Sequence, residues 1–171
     1  MSDPGLISSI KNLISSYAIS EKEFRGETTF TVKKDSILEL CNKLKLDFNF
    51  QYLADLTVVD YLEIKFPRYE VVYLLHRFGD NHDENLRIRL KVPIESDDCS
   101  IDSVTSVWIG ANWLEREAFD MFGITFVGHP DPRRILMPDD YPEYPLRKDF
   151  DVRNREPSKK SFEKALDEGI E

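Results

Sequence analysis

The stretch NLRIRLKV, at positions 85–92, decides how this chain is read. Leu86, Ile88 and Leu90 fall on one side of an extended strand and Arg87, Arg89 and Lys91 on the other, the period of two that marks a sheet with one dry and one wet face. Upstream, RYEVVYLLHRF at 68–78 and LTVVDYLEI at 56–64 are Val-, Leu- and Tyr-rich runs of strand length. Polar GDNHDEN separates the first of these from NLRIRLKV, and Phe66-Pro67 separates the two from each other, so the three predict an antiparallel meander. TTFTVK at 28–33 alternates like a further strand.

A sheet with one dry face needs cover. Leu6, Ile7, Ile10, Leu13 and Ile14 recur at helical spacing and predict a first helix over 4–17. Asp35 stands where an N-cap belongs, ahead of a second amphipathic helix that carries Ile37, Leu38, Leu40, Cys41 and Leu44 and ends near Lys45. Both should pack on the dry face, with Cys41 as a core thiol. After the acidic loop ESDDCS, Leu114, Ala118, Met121 and Phe122 form an i, i+4, i+7, i+8 stripe. Asn112 with Glu115 three residues on reads as a capping box, and Gly123 as the residue that closes the helix. The expected fold class is α+β, a mixed and largely antiparallel sheet with helices packed on one face.

Beyond Asp139 the character changes. The last 33 residues hold 17 charged ones, with large apolar residues only at Leu146, Phe150, Val152, Phe162, Leu166 and Ile170. A segment with no core of its own orders by binding. The expected organisation is an α+β domain over 1–138 and an extended C-terminal arm over 139–171 that docks on a partner.

Net charge −9 across 171 residues makes a surface that repels phosphate polyanions, so no nucleic-acid partner is expected. Two separated cysteines, Cys41 and Cys99, are too few for a thiolate zinc site or an iron–sulfur cluster and read as reduced, intracellular thiols. The N-terminus lacks the positive start of a secretion signal. No apolar run approaches a membrane span, the longest being VVYLL at 71–75.

Catalytic motifs are absent as well. No GxGxxG or GxSxG occurs, and GITFVG at 123–128 is followed by His129-Pro130 where a P-loop needs Lys and Ser or Thr. His76 and His82 read as structural or solvated. The densest polar group is Glu115, Arg116, Glu117, Asp120, His129, Arg133 and Arg134. Glu115 and Glu117 lie about 200° apart around a helix and cannot chelate one ion together, whereas Arg116 and Asp120 are i, i+4 neighbours able to pair. Arg133 and Arg134 can reach back to Glu115, Glu117 or Asp120 and lock the root of the arm onto the helix. Two alternatives stand beside this: a solvated helix face, and a free-standing carboxylate metalloenzyme using Glu115, Glu117, Asp120 and His129. A homo-oligomeric structural protein is a further one.

The block ANWLEREAFDMFGITFVGHPDPRRILMPDDYPEYPLRKDF, 111–150, resembles the signature region of the thirty-kilodalton subunit of respiratory complex I, the bacterial NADH:quinone oxidoreductase. The resemblance rests on Glu115-Arg116-Glu117, Asp120, Gly123, His129-Pro130, Arg133-Arg134 with Ile135-Leu136, and Tyr144-Pro145-Leu146-Arg147-Lys148-Asp149-Phe150. Pro132 departs from it, standing where the family usually carries Leu. Residues 1–110 match only in general organisation.

The resemblance implies a non-catalytic scaffold subunit in the hydrophilic arm of a proton-translocating complex, with no catalytic, cofactor-binding or metal-binding residue in this chain. Flavin and iron–sulfur clusters would sit in partner subunits, carrying electrons from NADH to quinone. The implied neighbour is the forty-nine-kilodalton quinone-site subunit, with the C-terminal segment wrapped along it. The implied location is peripheral, on the cytoplasmic side of the inner membrane, reached only through the complex. The equivalent subunit of a related membrane-bound hydrogenase or other quinone-reducing complex is the alternative.

Overall fold

Val71, Tyr73 and Leu75 stand opposite Val58, Leu56 and Leu53 on one side and Val92, Leu90 and Ile88 on the other, and all nine are buried. These pairs are the dry face of a five-stranded sheet. The computed structural model describes residues 4–79, 85–167 and 169. His82 therefore lies outside the described residues. In chain order the elements begin with helix α1 (Pro4–Ser15), strands β1 (Ala18–Phe24) and β2 (Glu27–Val32), and helix α2 (Ile37–Phe48). Strands β3 (Tyr52–Asp60), β4 (Tyr69–Arg77), β5 (Leu86–Ile94) and β6 (Ser100–Asp102) follow, then helix α3 (Ala111–Phe122), strand β7 (Thr125–Val127) and helix α4 (Glu156–Asp167).

The predicted meander is present, β3 pairing with β4 and β4 with β5, all antiparallel. Its first strand is shifted: it starts at Tyr52 and stops at Asp60, short of the 64 expected, because the chain turns there into a loop. The sheet order is β1-β2-β5-β4-β3, with β2 running parallel to β5. That one parallel pair makes the sheet mixed. Strand β1 has no counterpart in the sequence reading, since AISEKEF shows no apolar alternation and is exposed at every position but its first. It is an edge strand that β2 holds through a tight turn at Arg25 and Gly26, both at positive φ (52° and 79°) as such a turn requires.

Ile10 and Ile14 of α1 and Ile37, Leu40, Cys41 and Leu44 of α2 are 1% exposed or less, within one core with the dry face of the sheet. Each such aliphatic residue removed from water is worth about 1.5–3 kcal/mol. Cys41 is the core thiol expected. Asp35 is not the cap of α2: it falls inside a single 3-10 turn, Lys34–Ser36, and no side chain caps the helix. The helix also runs on to Phe48, ending at Asn49 in the left-handed conformation.

Helix α3 packs beside edge strand β3, burying Ala111, Ala118, Met121 and Phe122, with Leu114 partly buried. Gly110, not Asn112, is its N-cap, and Gly123 at φ 74° closes it as predicted. The capping box does not form because Glu115 turns its carboxylate into the core. Strands β6 and β7 form a separate parallel pair flanking α3.

The C-terminal segment is not extended throughout: Glu156–Asp167 is helix α4, rich in strong helix formers. Before it, residues 139–150 run as an irregular strap along the domain, with Tyr141 only 4% exposed. Among the described residues no helix is long and apolar enough to cross a membrane.

Candidate functional site

Helix α3 presents three carboxylates in three directions, and each meets a different fate. Asp120 faces inward at 0% exposure. Its Oδ1 accepts from Arg134 Nη1 at 2.6 Å, while Oδ2 accepts the backbone N–H groups of Ile135, Leu136 and Met137 at 3.0, 2.7 and 2.8 Å. Burial opposes the charge, but the Met137 N–H, the guanidinium and the other two amides outweigh it and hold the pKa below the usual aspartate value. Arg134 in turn donates to Tyr141 O at 2.7 Å and lies over the Phe119 and Tyr144 rings. One carboxylate thus folds the chain back over its own helix.

Glu115 is also 0% exposed. It accepts the Ser103 hydroxyl at 2.6 Å and the Val104 N–H at 2.7 Å, and His129 Nε2 lies 4.0 Å away. Burial pushes its pKa up to about 7 against the pull of those two hydrogen bonds. His129 Nδ1 accepts the Asp131 N–H at 2.9 Å, which assigns the ring proton to Nε2, where it is donated to Asn112 O at 3.1 Å. The imidazole pins the His129-Pro130 turn to the start of α3. Glu117 points to solvent, opposite Glu115 as its spacing requires.

Two pairings differ from expectation. Arg116 does not meet Asp120, because that carboxylate is already enclosed by the strap. It donates to Arg133 O at 3.0 Å and Arg134 O at 2.8 Å and lies 3.5 Å from Asp131. Arg133 does not reach the helix either: its side chain is 71% exposed and pairs with Asp131 two residues away. Of the two arginines only Arg134 is the lock.

The strap is held at a second point that sequence spacing did not reveal. Asp60, at the end of β3, accepts Arg68 Nε at 2.9 Å and Nη2 at 2.7 Å, Leu62 N–H at 3.0 Å and Lys148 N–H at 2.8 Å. Arg68 also reaches Asp149 with both terminal nitrogens, at 2.8 and 3.0 Å. Asp60 and Asp149 lie 89 residues apart, and no local spacing connects them. Between the two anchors Arg147 donates to Phe122 O at 2.6 Å and stacks 4.4 Å from the Tyr144 ring centroid. A Cβ on Gly123 would meet Arg147 at 2.5 Å and the Tyr144 ring at 2.7 Å, so glycine is required there by close approach as well as by φ. Pro145 and Phe150 are half-buried in the strap, and Phe150 lines a cleft of ≈ 390 Å³ with Tyr144 and Arg147.

Of the expected site residues, the fold joins Asp120 with Arg134, Glu115 with His129, and Gly123 with Tyr144 and Arg147. Among the described residues no group of three or more His, Cys, Asp and Glu is placed to hold a metal ion.

Fold and site together define an α+β domain whose charged motif residues hold a C-terminal strap. Residues 30–156 match the family described as respiratory-chain NADH dehydrogenase, 30 Kd subunit, and the chain belongs to that family. It is 46% identical over 152 residues to a NADH-quinone oxidoreductase subunit of Geobacter metallireducens, covering 88% of this chain and 91% of that one. It is 51% identical over 139 residues to the same subunit from Citrifermentans bemidjiense, covering 80% and 83%. Among solved structures, the trypsin-resistant fragment of Nqo5 superposes with a TM-score of 0.64 at 29% identity, over 74% of this chain and 96% of the fragment. A chain of the membrane-bound sulfane sulfur reductase, an archaeal respiratory membrane complex, gives 0.70 at 26% identity over 88% and 87%.

Proposed function

We propose that this chain is a non-catalytic scaffold subunit in the hydrophilic arm of a proton-translocating NADH:quinone oxidoreductase. The observation that carries the reading is the use of the motif residues: Asp120, Arg134, Glu115, His129 and Arg147 are spent on internal contacts that hold the strap in place. Flavin and iron–sulfur clusters would belong to other subunits, and the chain would sit peripherally on the cytoplasmic face of the membrane through them. We assign the forty-nine-kilodalton quinone-site subunit as its main neighbour. Helix α4 with the strap end is the docking arm, because Val152, Phe162 and Leu166 are 74%, 66% and 60% exposed. The trypsin resistance named for the Nqo5 fragment, which spans 74% of this chain, fits a protected domain followed by a dependent arm.

A second reading, the equivalent subunit of another membrane-bound respiratory complex, is favoured by the likeness to the sulfane sulfur reductase chain. One experiment tests both. The tagged chain is isolated from its own cells in mild detergent and weighed by native mass spectrometry. A large assembly with flavin and iron–sulfur subunits supports the first reading, a large assembly with a different input module supports the second, and a lone 20.0 kDa species overturns both.

A further inference from the structure

The dry side of the sheet is filled by α1 and α2, but its wet side carries an exposed, charge-sorted surface. On edge strand β1, Glu21 and Glu23 turn toward Lys11 of α1, at 2.7 and 4.0 Å, while Lys22 between them turns the other way. Lys22 lines a groove of ≈ 420 Å³ with Lys65, Arg89, Lys91 and the hydroxyls of Thr29 and Thr31. Along β5, Arg87 continues the same row beyond Arg89 and Lys91. Among the described residues, five cations thus share this face with three carboxylates, Glu27, Asp55 and Glu70.

The carboxylates are already engaged or lie to one side. Glu70, 1% exposed at the groove floor, is bound by Lys65 and by Lys91, the latter at 2.9 Å. Glu27 takes Arg89 at 2.8 Å. Asp55 stands beyond Leu74, across the sheet from the groove. Lys22 and Arg87 have no ion-pair partner among the described residues and are exposed. A chain of net charge −9 therefore keeps one face with a positive surplus. The surplus is two charges, too small against −9 to hold a nucleic acid or an anionic membrane, whose binding grows with each phosphate neutralised. Beside the basic row, half-buried Leu74 of β4 adds apolar surface to the face, and mixed apolar and charged texture is that of a protein interface.

We propose that this sheet face docks an acidic segment of another subunit, with Lys22 and Arg87 as the cations that take its carboxylates. The inference rests on the scaffold reading above and adds the face and the chemistry of its partner. Charge complementarity of this kind directs which surface meets which.

The test is zero-length carbodiimide coupling on the purified complex, which joins a lysine amine directly to a carboxylate in contact with it. The expected product joins Lys22 to an Asp or Glu of a different subunit, lost in Lys22→Glu, with Lys22 protected from an amine label relative to the isolated chain. Lys22 labelled equally in both states overturns the inference, as does its coupling only within this chain or to a second copy of it. Protection without any carboxylate product means another occupant and also overturns it. Lys22→Glu with Arg87→Glu should leave the isolated chain folded with nearly the same melting, because neither side chain has an ion-pair partner among the described residues, and should cause loss of the chain from the complex. Failure of the wild type to co-purify with other subunits tells instead against the scaffold reading.

Discussion

Arg134 Nη1 lies 2.6 Å from Asp120 Oδ1, with the arginine side chain 9% exposed and the aspartate 0%, so a buried ion pair fourteen residues apart closes the strap onto α3. Removing one partner of such a pair leaves the other charge uncompensated, at about 3–5 kcal/mol. Arg134→Ala is expected to lose that much stability, whereas Arg133→Ala, whose side chain is 71% exposed, should stay within about 0.5 kcal/mol of wild type. Urea unfolding of both variants checks this. Equal losses would mean that burial does not separate the two arginines.

Gly123→Ala combines a left-handed φ of 74° with a clash against the Tyr144 ring at 2.7 Å. The backbone term alone is about 1–2 kcal/mol for a residue bearing a Cβ. The Tyr144 and Arg147 side chains must also move off the end of α3, so the strap should become sensitive to trypsin at Arg147 and Lys148. Digestion followed by mass spectrometry reads the cut sites, and a wild-type pattern would contradict the expectation.

Glu115 gives a pH dependence opposite in sign to that of Asp120. Its folded pKa of about 7 exceeds the usual 4.5, so between those values the folded chain binds more protons than the unfolded one and stability falls as pH rises. Above pH 7 the penalty is complete and on the order of 3 kcal/mol, from about 1.4 kcal/mol per pKa unit. Glu115→Gln should therefore melt higher than wild type at pH 8, with the gap closing toward pH 4.5. Thermal melts across that range decide it, and a constant gap would place the cause elsewhere. Asp120, with its pKa lowered, adds stability that is present above its unfolded pKa and lost as pH falls through the folded one.

The cooperative unit is expected to end near residue 151, not at 138. Tyr141 is 4% exposed, Leu146 N–H donates to Met121 O at 3.1 Å, and Asp149 is bound by Arg68. A chain ending at Asp151 should melt as the full chain does, while one ending at Asp139 should melt several degrees lower, since each kcal/mol shifts a domain of this size by about 2–4 °C. Identical melts for the two truncations would show that the strap adds nothing to the fold.

How far the sequence reaches is clearest element by element. Strand β5 was legible because its apolar residues alternate, β3 and β4 because they are Val-, Leu- and Tyr-rich runs of strand length, and α1 and α2 because their apolar residues recur every three to four. Strand β1 was not, since an edge strand solvated on nearly all sides has no burial pattern to display. Helix α4 was not, because its charged residues suit a solvated helix and an extended arm equally. In the site, Glu115, Asp120, His129 and Arg134 were marked by their motif, but Arg116 and Arg133 were given partners they do not have, and Asp60 with Arg68 was not seen at all.

The sequence by itself determined which residues of α1, α2, α3 and β5 face the core, where α3 ends, and the family that the block at 111–150 resembles. The core-facing residues and the helix end follow from steric periodicity and turn chemistry over a few residues, and the resemblance from the motif residues of that block. Only the tertiary structure decided that β2 lies parallel to β5, that Asp120 takes Arg134 while Asp60 takes Arg68 and the Lys148 amide, and that Glu115 titrates near neutrality. Pairing and desolvation depend on distances through space between groups as much as 88 residues apart in the chain, and local spacing carries no record of them.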